Sequence, residues 1–141
     1  MINRVEDARQ RLLEGGYTCV VLAEGGEFCS RERGVKPLLE LLDRGIPCEG
    51  AVAADKTVGA GAAHLYVLIG VARLWANVIS SSALRILEDN RIDVTYGECV
   101  PYIINRKGDG VCPIETAVAD AKSSQEAYGM ILKTLEQLNK K

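Results

Sequence analysis

The spacing of apolar residues changes period several times along this chain. Val5, Ala8, Leu12 and Leu13 share a helical face ahead of Gly15-Gly16, so residues 3–15 read as a helix stopped by glycine. Tyr17–Ala23 is nearly all apolar and rich in β-formers, the pattern of a buried strand. Gly25-Gly26 signals a hairpin, with Glu27–Arg31 as the return strand. Leu38, Leu39, Leu41 and Leu42, with Pro37 in the first turn, predict a helix over Val35–Leu42 that Gly45 ends. A strand over Gly50–Ala54, a helix over Thr57–Val71 and a strand over Leu74–Ile79 follow. Ser80–Ser82 then caps a helix over Ala83–Asn90. Asp93–Ile104 is strand material around Gly97, with Pro101 marking an edge or bulge. After a polar loop over Arg106–Gly110 come helices over Pro113–Ala121 and Gln125–Leu138, the second capped by Ser123-Ser124.

The order is a helix, a hairpin, and then alternating helices and strands closed by two helices. That order predicts an α/β fold with three α-β-α layers and a mixed sheet of about five strands. At 141 residues the chain reads as one domain over 1–141. The hydrophobic fraction of 48% is enough for a core, and a single Phe and a single Trp make that core mainly aliphatic.

Charge narrows the partners. A net charge of −2 offers no basic stripe for a phosphate backbone, so no nucleic-acid partner is expected. The apolar stretch over Ala60–Ala72 is too short to span a bilayer, and no signal-peptide pattern opens the chain. A cytoplasmic location without a membrane partner is the expectation. The five cysteines, at 19, 29, 48, 99 and 112, include no C-x-x-C pair, and with one histidine they make no zinc pattern. No metal and no cofactor are expected, and the thiols read as free.

Four groups of residues have the chemistry for a site. The run from Asp55 through Lys56, Gly59 and Gly61 to Ala63 reads as a strand ending in an acid and turning through glycines into a helix. Unpaired amides at such a helix start attract anions or polar ligand groups. The alternative is that Asp55 caps the helix and the small residues let it pack closely. Cys112-Pro113-Ile114-Glu115 fits a helix start with Cys112 at the N-cap and Glu115 reaching back as in a capping box. A thiol there is reactive if exposed and an inert core residue if buried, and the neighbouring carboxylate could move protons. His64, one turn into the glycine-rich helix, reads as a packed or half-exposed helix residue rather than as a base. Arg31, Arg33 and Lys36 could hold an anion beside a helix start or stay solvated. The apolar face of Tyr128, Ile131, Leu132, Leu135 and Leu138 reads as core or as a subunit contact, so a homodimer is one possible assembly.

Three stretches together resemble a family of small prokaryotic proteins of unknown function with a cytidine-deaminase-like fold. They are Asp55-Lys-Thr-Val-Gly59 with its small-residue helix, Val78-Ile79-Ser80 with Ala83 and Leu87, and Ile104-Asn105-Arg106 leading to Cys112-Pro-Ile-Glu115. The family's Asp-x-x-x-Gly stretch continues with Lys, whereas here position 60 is Ala. Zinc deaminases open one helix with H-x-E or C-x-E and the next with P-C-x-x-C. The corresponding positions, near Gly34–Pro37 and Asp55–Gly59, carry no such ligands. The resemblance therefore implies the fold without the zinc. It leads to the expectation of a small polar, nucleotide- or metabolite-like ligand at the Asp55–Gly61 turn, with Asp55, Lys56, Gly59, Gly61 and Lys36 as binding residues. Asp55, Cys112 and Glu115 are the candidates for any catalytic role. The rival readings are a homo-oligomeric interaction protein and a redox-responsive thiol protein acting through Cys112.

Overall fold

The amphipathic start of the chain forms α1 (Val5–Gly15), and the apolar run behind it forms β1 (Cys19–Ala23). This computed structural model describes residues 4–32, 34–104, 108 and 110–139. β1 turns through Glu24-Gly25 into β2 (Gly26–Ser30) and also pairs antiparallel with β3 (Val52–Val58). Alternate residues of β1 enter the two cores, Cys19 and Val21 on one face and Val20 and Leu22 on the other, which explains its continuous apolar sequence. β3, β4 (Arg73–Ser80) and β5 (Asp93–Val100) are parallel, and the sheet order is β2-β1-β3-β4-β5. The crossover helices are α3 (Ala60–Ile69) and α4 (Ser81–Asp89). α2 (Lys36–Arg44) precedes β3, and α5 (Pro113–Ala117) and α6 (Ser124–Asn139) follow the sheet. The three-layer α/β architecture with a mixed five-stranded sheet is the one the sequence leads to expect.

The two faces of the sheet are covered unequally. Ala8 and Leu12 of α1 pack with Val20, Leu22, Val52, Ala54 and Trp75 on one face. The larger core on the other face gathers Leu38 and Leu41 of α2, nearly all of α3, Leu87 of α4 and Ile131 of α6 over Val21, Ala53, Leu74 and Ala76. α3 is buried from Ala60 through Tyr66 and again at Ile69. A helix apolar on every side belongs inside a layer rather than on its surface. Its alanines and glycine let α2, α4 and α6 crowd against it.

Strand alternation resets part-way up the sheet. Ala53 and Val58, five positions apart, lie in one core cluster, as do Leu74 and Ile79. A strict two-residue period would put the members of each pair on opposite faces. The paired register passes over Lys56, Asn77 and Gly97, which stand level with one another in β3, β4 and β5. Locally, the Thr57 amide donates to Asp55 Oδ1 at 3.1 Å, a side-chain bond that competes with the ladder. At the same level a Cβ on Gly97 would stand 2.8 Å from the Asn77 carbonyl oxygen.

Several bounds differ from the sequence reading. β3 continues through Asp55 to Val58, and α3 starts only at Ala60, because the Asp55 carboxyl is satisfied inside the fold and the strand need not end at it. β5 stops at Val100, before Pro101, which has no amide to donate. α5 covers only Pro113–Ala117. Ser80 caps α4 by accepting from the Ala83 amide at 3.2 Å, and Ser123 accepts from Glu126 at 3.1 Å, so both serine caps are observed. Among the described residues no helix is long and apolar enough to cross a membrane.

Gly97→Val should lower stability by about 1–3 kcal/mol through the clash with Asn77, measured by urea denaturation. A variant as stable as the parent would show that the β4 backbone yields at this level.

Candidate functional site

The carboxyl ends of β3 and β4 deliver two helix starts side by side, and Glu115 reaches both. Its Oε2 accepts from the Ala60 amide of α3 at 2.9 Å, and its Oε1 accepts from Ser82 Oγ of α4 at 3.1 Å. Ser82 Oγ is also 3.3 Å from the capping hydroxyl of Ser80. Glu115 is 8% exposed, and a carboxylate so placed complements the positive end of α3. The glycines before it make this contact possible. A Cβ on Gly59 would lie 2.2 Å from Glu115 Oε2, and one on Gly61 would lie 2.3 Å from Ile114 Cγ2. The expected capping box at Cys112 is therefore not formed. Glu115 spends its carboxylate on α3 and α4, and the Cys112 side chain makes no cap bond. The Asp-x-x-x-Gly and Cys-Pro-x-Glu stretches, separate in sequence, meet as the two halves of one contact.

Asp55 is not at a turn. It sits within β3 opposite Cys19 of β1 and Ala76 of β4, only 7% exposed. Tyr66 Oη of α3 donates to Asp55 Oδ2 at 2.6 Å, and Cys19 Sγ lies 3.4 Å from the same hydroxyl. Burial pushes the Asp55 carboxyl up to about 7, against the opposing pull of the Tyr66 and Thr57 hydrogen bonds. Burial likewise raises the Cys19 thiol and the Tyr66 phenol, and the nearby Asp55 charge adds to both. This cluster pins α3 to the middle of the sheet, and it lines neither the cavity beside Trp75 nor the groove beside Tyr102.

The other candidates are also held by the fold. His64 Nδ1 is 3.0 Å from Ser124 Oγ at the start of α6, and burial lowers its pKa. It is packed, as expected. Arg31 donates to the Gly15 carbonyl at 2.8 Å and stacks 4.2 Å from the Tyr17 ring, so it closes the hairpin onto α1 instead of holding an anion. Arg33 lies outside the described residues, as do Asn105 and Arg106. Lys36 is exposed, 3.8 Å from Glu32. Lys56 is exposed on β3. The face of α6 packs on α3 through Ala127 and Ile131, while Leu132 and Leu138 remain exposed. It is thus mainly core. Among the described residues no three His, Cys, Asp or Glu side chains come together in a metal-binding group.

The open space lies next to the Glu115 junction. A groove of about 470 Å³ runs over the carboxyl ends of the parallel strands, lined by Thr57, Val78 and Val100 and by Pro101, Tyr102, Ile103 and Ile104. Its outer wall is tied down at several points. Ser81 Oγ donates to the Pro101 carbonyl at 3.3 Å, the Cys112 amide donates to the Ile103 carbonyl at 2.9 Å, and Ile104 bridges to Val111. Ile103 Cγ1 would lie 3.2 Å from a Cβ on Gly59, so this wall leans on the start of α3. The far ends of such strands are where open α/β sheets bind ligands.

The family model described as TM1506, domain of unknown function (DUF1893), matches residues 7–135. The chain belongs to the DUF1893 family. A solved DUF1893 family protein, TM1506 from Thermotoga maritima, superposes with a TM-score of 0.83 at 24% identity, covering 97% of this chain and 92% of that one. It shares the fold. A diaminohydroxyphosphoribosylaminopyrimidine deaminase/5-amino-6-(5-phosphoribosylamino)uracil reductase from Thermotoga maritima gives a TM-score of 0.48 at 13% identity, over 66% of this chain and 36% of that one. No curated protein matches the chain. For this DUF1893 chain, the sequence reading passed over Tyr66 and the Thr57–Tyr102 groove, and it took Ser82 only as part of a helix cap. A tyrosine in an otherwise apolar, buried helix was a usable signal, since its hydroxyl needs a partner. The groove had none, because its wall is an irregular segment with no periodic pattern.

Glu115→Ala should cost about 1–3 kcal/mol by leaving the Ala60 amide without its acceptor. Gly59→Ala should cost a similar amount by evicting the same carboxylate. A double-mutant cycle read by urea denaturation should show the two losses to be strongly non-additive. Simple additivity would mean that they act on separate contacts.

Asp55 gives the fold a defined pH dependence. Below about pH 3.8 the carboxyl is protonated in the folded and unfolded chain alike, and its contribution is complete. As pH rises, the unfolded chain releases a proton that the fold retains, so stability falls until pH passes about 7. The full fall is at most about 4 kcal/mol. The stability of the parent relative to Asp55→Asn should therefore decline between pH 4 and 8 in paired denaturation curves. A flat difference would show that Asp55 is ionised throughout.

Proposed function

We propose that this protein binds a small molecule in the groove over the carboxyl ends of β3, β4 and β5, without the zinc chemistry of the deaminases. The observation that carries the reading is the groove itself. At about 470 Å³ it falls within the ~300–1,000 Å³ usual for ligand pockets. It also adjoins the two helix starts that Glu115 ties together. Zinc independence rests on the helix starts. Val35-Lys36-Pro37 opens α2 and Gly59-Ala60-Gly61-Ala62 opens α3, and neither stretch holds the histidine, cysteines or glutamate that zinc deaminases use.

The binding residues in this reading shift from the turn to its neighbours. Thr57 and Tyr102 face the ligand, and Lys56, exposed and next to Thr57 in the chain, is available to a charged end outside the groove. Gly59 and Gly61 act through Glu115 and Ile114. Asp55 supports β3 from within rather than touching ligand, because both of its carboxyl oxygens are engaged in the interior. Lys36 is not among the groove residues.

An interaction protein is the second reading. It is favoured by the exposure of Tyr102, Ile104 and Val111 beside the groove, which would suit a protein partner or a homodimer. One experiment separates the two readings. A metabolite and nucleotide panel, screened by thermal shift and followed by calorimetry, should yield a ligand whose affinity falls at least about tenfold in Tyr102→Ala. A silent panel, together with a concentration-dependent dimer lost in Tyr102→Ala, would favour the interaction protein.

A further inference from the structure

The chemistry of the groove's lining narrows the ligand, granted the binding reading above. Of the described residues that line it, Val78, Val100, Pro101, Ile103 and Ile104 are aliphatic, and none carries a charge. The polar groups available are the hydroxyls of Thr57 and Tyr102. Tyr102 is 50% exposed, so part of its side chain is within reach of a ligand. Among the described residues nearby, Lys56 is exposed outside the groove, and the amide-rich features at its edge are already used. Glu115 fills the amide end of α3, and Ser81 is turned to the Pro101 carbonyl.

A phosphate or carboxylate pressed against five aliphatic side chains would lose its hydration, and among the described residues that line the groove no cation or amide cluster replaces it. An uncharged ring loses little on entry, gains apolar contact on both walls and can stack on Tyr102. A single hydrogen-bonding group on such a ring would find Thr57.

We infer that the part of the ligand that enters this groove is an uncharged ring, aromatic or heteroaromatic, oriented by one hydrogen bond to Thr57, with any charged portion left in solvent. This departs from a site built to hold a nucleotide by its phosphates. The groove would recognise the ring end of such a molecule, not the phosphate end.

Saturation-transfer NMR on the full chain tests this with two probe sets. The neutral rings are indole, phenol and nicotinamide, and the anions are inorganic phosphate and ribose 5-phosphate, with phosphate followed by phosphorus line broadening. At least one neutral ring should give saturation transfer. That signal should fall at least fivefold in Tyr102→Ala, and in Ile104→Glu, which puts a charge on the wall at a half-exposed position, with thermal melting checking that each variant folds. Thr57→Val should weaken a hydroxyl- or amide-bearing ring more than a bare one. Binding of the anions alone would overturn the ring assignment and leave the groove as a ligand site. Ring binding that is unchanged in all three variants would overturn it too, by placing the ring elsewhere. Failure of both probe sets would sink the ring assignment together with the binding reading beneath it.

Discussion

The seat of one carboxylate organises the upper half of this molecule. Glu115 is the point at which α3, α4 and α5 are joined, and it can be so only because positions 59 and 61 carry no side chain. An exposed ion pair would contribute little to such a junction. A buried carboxylate accepting from a backbone amide and a hydroxyl is different, because a buried donor left without its acceptor pays the full cost of desolvation. The groove wall depends on the same arrangement through Ile103, which touches the start of α3 and holds the Cys112 amide.

A second interior acid works in the lower half. Asp55 ties β3 to Tyr66 and, through Tyr66, to Cys19 of β1. The two acids hold the same helix at two levels: Glu115 closes the start of α3, and Asp55, through Tyr66, fixes its second turn to the sheet. Both anchors are polar, yet α3 itself is almost wholly small and apolar. The helix thus has little shape of its own to specify its position, and hydrogen bonds supply what packing alone leaves loose. Among the described residues no buried side-chain nitrogen or oxygen lacks a partner.

Much of the fold was legible in the sequence because it rests on period and on caps. The helical spacing of Val5, Ala8 and Leu12, the apolar run of β1, the glycines after α1 and α2, and the serine caps of α4 and α6 all act within a few residues of themselves. The candidate site was legible only in its parts. Asp55, Gly59 and Glu115 each drew attention, but their partners are set by tertiary contacts. Asp55 looked like a strand's end because an acid inside a strand is rare. It became an interior residue because Tyr66, eleven positions on, returns over it. Gly59 and Gly61 looked like room for a ligand, and the room is taken by the chain's own Glu115 and Ile114. Nothing in a one-dimensional pattern distinguishes those two uses of a glycine.

The enclosure of α3 also bears on how the chain reaches its fold. Its sheet partner β3 precedes it, but the residues that seal its outer side, Ile114, Glu115 and Ile131, come much later in the sequence. With synthesis at roughly 5–20 residues per second, seconds separate the emergence of Gly61 from that of Ile131. Through that interval the alanine-rich helix has a floor but no roof, and its amide end waits for an acid not yet made. The larger helical layer of this protein is therefore completed by residues made late, and the helix that looks most like the nucleus of the fold is among the last to be closed in.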